Sequence, residues 1–159
     1  MDIWKSDKWQ EHYLNGKYRK GIKIDFDSNV NISVKQAIKN ISNWLRKNYI
    51  FPIRLRIYVK SNTLIKARDG SKVPDLFFWP YNRDDEPYIK IATGDYDDLL
   101  KRLGKDDALA TILFALLRNI THYFQWLNDT NLTATGEQRQ ATRYARIKLH
   151  EYAETREHP

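Results

Sequence analysis

The chain has 159 residues, of which 42% are apolar, which suffices for one sizeable core and argues against two. It has no cysteine, so disulfides, thiolate metal sites and cysteine nucleophiles are excluded, in keeping with a reducing compartment. The net charge of +7 is uneven: residues 1 to 80 carry 16 Lys and Arg against 7 Asp and Glu, whereas residues 81 to 159 carry 11 against 13. The basic first half is either a solvated face or a surface for nucleic acid or an acidic protein. No run of about 18 apolar residues is present and the N-terminus is too polar for a secretory signal, so a cytoplasmic protein without membrane contact is expected. The host is a cell or a virus-infected cell.

In chain order, Ser6 is expected to cap a short helix running to Tyr13. In "KGIKIDFD" Ile22, Ile24 and Phe26 alternate with polar residues, the pattern of a half-buried strand. From Ser33 the period lengthens: Val34, Ala37, Ile38, Ile41, Trp44 and Leu45 form the inner stripe of a helix with Ser33 as N-cap. Pro52 ends it. In "IRLRIYVK" the residues Ile53, Leu55, Ile57 and Val59 face a core, and Arg54, Arg56, Tyr58 and Lys60 face away. Asp69-Gly70 marks a turn between "TLIKA" and "PDLFFWP", and "YIKIA" is a further strand after the acidic loop "NRDDEP". Trp79 is expected in the core or anchoring a loop. A short helix at "DYDDLLKRLG" ends at Gly104, and Asp106 or Asp107 opens a long helix reaching about Asn128. A final helix starts near Glu137. The expected class is α+β, a small mostly antiparallel or mixed sheet packed against helices, with residues 1–32 as an N-terminal extension and 33–159 as the domain, forming one structural unit.

The residues with the most chemistry lie on the long helix. Arg118 and His122 are four apart and share a face, with Asn119 beside His122. That is the spacing of H-E-x-x-H, in which two imidazoles hold zinc and the glutamate activates the metal-bound water. Here the segment reads "RNITH". Fifteen residues after His122, Glu137 opens "EQRQATRYA", with Ala141 and Ala145 on the inner side of the next helix. Together these segments resemble the gluzincin metallopeptidases, in particular the ImmA/IrrE type of phages and mobile elements. In that family a second helix with an E-x-x-A-x-x-F/Y-A pattern supplies the third zinc ligand. In this chain Ala141 falls one position late. The order helix, basic strand, further strands and active-site helix over residues 33 to 150 likewise resembles a minimal zincin-like core.

The resemblance implies that His122 corresponds to the second zinc histidine and Glu137 to the third ligand. It assigns nothing catalytic to Arg118 or Asn119. Guanidinium offers no lone pair to a metal, and a neutral amide accepts no proton near pH 7, so hydrolysis by the family mechanism is not expected. No cofactor is expected; zinc, if bound, would rest on His122 and Glu137. A carboxylate left without its cation is costly, so Arg118 is expected to fork to Glu137 as a metal-free replacement for zinc. Other acids and histidines read as surface: His150 and Glu154 in "HEYAE", His158, and the cluster Asp84, Asp85, Glu86, Asp95, Asp97 and Asp98.

Two function classes follow. The first is a catalytically inactive metallopeptidase-like protein, a phage or mobile-element regulator or inhibitor. It would contact nucleic acid, or a protein that handles it, through a basic surface of Lys17, Arg19, Lys20, Lys23, Arg54, Arg56, Tyr58 and Lys60. A protein partner would seek an exposed aromatic such as Trp4 or Trp9. The second is a metal-dependent protease or hydrolase whose missing ligand, His12 or His150, reaches His122 and Glu137. No Walker loop, dinucleotide fingerprint or G-x-S-x-G supports nucleotide or serine-hydrolase chemistry.

Overall fold

A computed structural model describes residues 2–11, 19–81 and 85–155. Tyr13 and the sequence-selected His12, Lys17, Asp84 and His158 lie outside the described residues. In place of a helix from Ser6 there are two 3₁₀ turns, Ile3–Lys5 and Lys8–Glu11, the first capped by Asp2, whose carboxylate accepts from the Trp4 N–H at 3.0 Å. Ile3 and Trp4 fix the first turn by burial in the main core, which a local capping signal at Ser6 does not reveal.

Strand β1, Ile22–Phe26, leads into helix α1, Ile32–Asn48. The cap is Asn31 rather than Ser33: the Asn31 side chain accepts from the Ser33 N–H at 2.8 Å. Both residues are good caps, and the apolar stripe does not separate them because Ile32 is exposed. The buried face of α1 is Val34, Ile38, Ile41 and Leu45. Strand β2, Leu55–Lys60, then runs parallel to β1. A small hairpin, β3 (Ile65–Lys66) and β4 (Lys72–Val73), turns through Gly70 at a φ of 88°, where a side chain would be strained. Strand β5, Asp75–Phe78, pairs antiparallel with β6, Tyr88–Ala92, and β6 is parallel to β2.

The main sheet therefore has the order β1-β2-β6-β5 and is mixed, with β5 as its antiparallel edge. The mostly antiparallel version of the expectation does not form, because α1 returns the chain to the same end of the sheet before β2 starts. Helix α2, Tyr96–Leu103, stops at Gly104, and helix α3, Lys105–Leu127, follows at once. Helix α4, Ala134–Thr155, starts three residues before Glu137, because Thr133 accepts from the Gly136 N–H at 3.0 Å and caps it there.

The architecture is α+β, a small mixed sheet packed against helices. Leu55, Ile57, Val59, Ile89 and Ile91 of the inner sheet face meet Ile38, Ile41 and Leu45 of α1 and Leu116, Leu117 and Ile120 of α3 in one apolar cluster. Each such side chain, fully buried, contributes about 1.5–3 kcal/mol relative to exposure. Helix α4 lies along α3 through the fully buried Ala141 and Ala145, small residues that bring its first turns close to His122's helix. Trp79 is not in the core: it is 60% exposed and stacked on Phe77 at the end of the edge strand. No helix is long and apolar enough to cross a membrane among the described residues.

Candidate functional site: a cleft between the edge strand and two helices

Strand β5, the hairpin β3–β4, helix α3 and the first turn of α4 enclose a cleft of about 920 Å³. Arg118, Asn119, His122 and Glu137, selected from the sequence, all line it, together with Asp75 and Trp126. Helical spacing brings Arg118, Asn119 and His122 to one wall. Glu137 arrives on the opposing helix because α4 packs back along α3.

The expected fork between Arg118 and Glu137 does not form. Arg118 donates from Nη2 to Asp75 Oδ1 and from Nη1 to Gln138 Oε1 at 3.4 Å. Asn119 donates to the same Asp75 oxygen at 2.8 Å and to the Ala115 carbonyl at 2.8 Å. The choice follows burial. Asp75 is only 6% exposed, so its carboxylate has the greater need of a cation. Glu137 is half-buried in the first turn of α4, where the helix N-terminus favours its charge.

His122 is oriented by Gln125. The Gln125 Nε2 donates to the Glu137 carbonyl at 3.0 Å and to Gln140 Oε1 at 2.9 Å, which makes its Oε1 an acceptor. That oxygen lies 2.7 Å from His122 Nδ1, so Nδ1 is the donor to it, and in the neutral ring the lone pair is on Nε2.

The zinc that the resemblance implies can be tested against this donor set. His122 Nε2 and the Glu137 carboxylate are suitable donors, Asp75 is committed to Arg118 and Asn119, and Arg118, where the resemblance implies the first histidine, offers a metal no lone pair. A tetrahedral protein site needs at least three such ligands, so the residues present do not fit it. Asn119 is a hydrogen-bond donor here and not a general base. His150 does not supply a third ligand to the cleft: it lies 3.0 Å from Glu154 on the exposed end of α4.

The basic surface is also partly rearranged. Arg54 and Arg56 point away from the core as expected, but Glu86 holds both: Arg54 Nε and Nη2 at 2.9 and 3.0 Å, and Arg56 Nε at 2.8 Å. Burial pushes the Glu86 carboxyl up, and the two guanidinium groups outweigh it and hold it below the usual range. Lys60 lies 3.2 Å from Asp27, which also accepts from the Ser61 N–H at 2.9 Å and is likewise held low. Tyr58 packs edge-on to Tyr88. Arg19, Lys20 and Lys23 are exposed. Glu86 is thus a clamp and not a solvated acid of the loop, whereas Asp85 is exposed.

Asp75 and Gln125 escape a sequence reading for different reasons. "DLFF" is apolar on both strand faces, so period-two alternation does not say which way Asp75 points. Gln125 was discoverable: it lies one helical step, three residues, after His122. No family model matches the chain, and neither a curated protein nor a solved structure matches it.

Proposed function

We propose that the chain is a catalytically inactive, metallopeptidase-like protein that acts by binding, as a regulator or inhibitor of the phage or mobile-element kind. Its target is nucleic acid or a protein that handles it. The observation that carries the reading is the pairing of Arg118 and Asn119 with the buried Asp75. On the resemblance of "RNITH" to H-E-x-x-H, these residues take the places of a zinc histidine and a general base, and here they are a charge-compensated structural network. What remains is a cleft lined by one oriented imidazole and by the carboxylates of Asp69, Asp129 and Glu137, a shape for holding a ligand without the family's zinc-bound water.

Metal analysis tests this directly. After dialysis against zinc and then metal-free buffer, the wild-type chain is expected to retain far less than one zinc. Arg118→His adds a third donor four residues before His122 and is expected to raise retention to about one equivalent. His122→Ala in that background should abolish it, with circular dichroism confirming that each variant is folded. Stoichiometric zinc in the wild type that His122→Ala removes, or zinc-dependent peptide hydrolysis by the wild type, would overturn the reading.

A further inference from the structure

Among the described residues the helices pack on one face of the sheet, and on the other face, which the β3–β4 hairpin partly covers, Arg56, Tyr58, Phe78, Tyr88 and Lys90 are part-exposed. Strand register arranges its side chains in rows. Lys23, Arg56, Tyr88 and Phe78 stand side by side across β1, β2, β6 and β5, and next to them Asp25, Tyr58, Lys90 and Leu76. Cations and rings alternate along β2, as Arg56, Tyr58 and Lys60, and along β6, as Tyr88 and Lys90. Phe78 and Tyr88 stack with centroids 4.8 Å apart, and Tyr58 meets Tyr88 edge-on at 5.8 Å. None of the three rings is buried.

Arg56 is paired with Glu86, but Arg68 and Lys90, the cations seated against the rings, have no carboxylate partner among the described residues. The Arg68 guanidinium sits 4.2 Å over the Phe78 ring and Lys90 Nζ lies 5.3 Å from the Tyr88 centroid. Lys66 and Lys72 are directly opposite each other in the hairpin, a pairing of like charges that costs stability. No acid is paired with Lys66, Arg68, Lys72 or Lys90 among the described residues, whereas Arg54, Arg56 and Lys60 on the same sheet each have one. A hollow of about 360 Å³ lies between Lys66, Arg68, Leu76, Phe78, Tyr88 and Lys90.

We propose that this open face binds a single strand of nucleic acid, with bases stacked on Tyr58, Tyr88 and Phe78 and phosphates on Lys66, Lys72 and Lys90. The inference rests on the reading of the chain as a binding protein and gives that reading a partner and a surface. Ring faces on three adjacent strands suit unstacked bases, and unpaired cations around them suit the phosphates that follow. A duplex keeps its base faces inside its own stack and could use only the cations. An acidic protein could also pair the cations and pack on the rings, but rings interleaved with unpaired cations match the repeat of base and phosphate along a single strand. Arg68 covers the Phe78 ring at 4.2 Å, so it must swing aside for a base to stack there, which frees its guanidinium for a phosphate. Contacts to ring faces and phosphates do not read the 2′-hydroxyl, so DNA and RNA strands should bind alike.

Fluorescence anisotropy on the full chain tests the proposal, using a labelled oligothymidylate of about 12 nucleotides and a duplex of the same length at about 50 mM salt. The single strand is expected to bind more tightly than the duplex, and oligouridylate to match oligothymidylate. Arg68→Ala with Lys90→Ala should weaken single-strand binding about tenfold or more. Arg143→Ala with Arg146→Ala, which removes equal charge from the exposed side of α4, should leave it within about twofold. Tyr58→Leu should weaken binding, and Tyr58→Phe should restore it, which separates stacking from charge. Equal affinity for the duplex, equal loss from the two arginine-containing pairs, or no single-strand binding up to about 100 μM would overturn the proposal. The zinc experiment is independent of these outcomes, so either idea can fail while the other stands.

Discussion

At the scale of single residues, the cleft is decided by which carboxylate is buried. Arg118 was legible as a cation in the position of a metal ligand, but its partner was not. Asp75 lies 43 residues earlier, on a strand whose two faces are both apolar in sequence. Burial, which selects Asp75 over Glu137, exists only once β5 is placed at the sheet edge. A consequence can be measured. Arg118→Met leaves a carboxylate that is 6% exposed with only an amide donor, and is expected to cost about 3 kcal/mol in urea unfolding. That is the low end for a broken buried pair, because the Arg118 side chain is itself 27% exposed. The double variant Arg118→Met with Asp75→Leu removes the orphaned charge as well. It should therefore lose clearly less than the sum of the two single losses. Additive losses would show that the two side chains do not act as a pair.

At the scale of elements, periodicity located most helices and strands and Asp69-Gly70 marked the hairpin turn, whereas the N-terminal 3₁₀ turn that depends on burial of Ile3 and Trp4 in the core was not legible. The alternation in "IRLRIYVK" identified β2 and its two faces, since Leu55, Ile57 and Val59 are completely buried. It did not show that Glu86, from the segment preceding β6, would hold both arginines of that strand. This clamp ties β6's entry to β2 and has a defined acid dependence. The Glu86 carboxyl is held below its ordinary range, so the folded state favours its ionised form. The stabilisation is complete above the ordinary glutamate pKa, near 4.5, and is lost as pH falls through the lowered value. Asp27, held low by the Ser61 N–H and by Lys60, adds to the same trend at the junction of β1 and β2. Thermal melting of wild type and Glu86→Gln should differ by a constant amount at neutral and mildly acidic pH. The difference should shrink below about pH 4.5. A gap that persists unchanged to lower pH would mean that Glu86 acts through packing and not charge.

At the scale of the whole molecule, the N-terminal turns belong to the same core as the sheet and helices, which makes the distant ends of the described chain energetically coupled. Trp4 is 2% exposed and donates from its indole N–H to Thr121 of α3 at 3.0 Å. Beside it Lys148 of α4 is 1% exposed, with Nζ 2.5 Å from Asp2 and 3.5 Å from Glu151. It also lies 4.9 Å from the Tyr49 ring centroid. Burial alone would lower the pKa of this amine, but hydrogen bonds with Asp2 and Tyr49 and the charge of Asp2 more than offset it, and the net shift is upward. The two members of the pair are unequal, because the Asp2 side chain is 30% exposed while its cation is enclosed. Removing Asp2 leaves the buried amine only the longer, 3.5 Å contact with the more exposed Glu151, whereas removing the amine leaves a carboxylate that water can reach. Asp2→Ala is therefore expected to cost about 2–3 kcal/mol in urea unfolding, and Lys148→Met, which keeps much of the side-chain volume between Trp4 and Tyr49, about 1 kcal/mol or less. The reverse order would mean that the packing of Lys148 between the rings, and not its charge, fastens the N-terminal turns to α4.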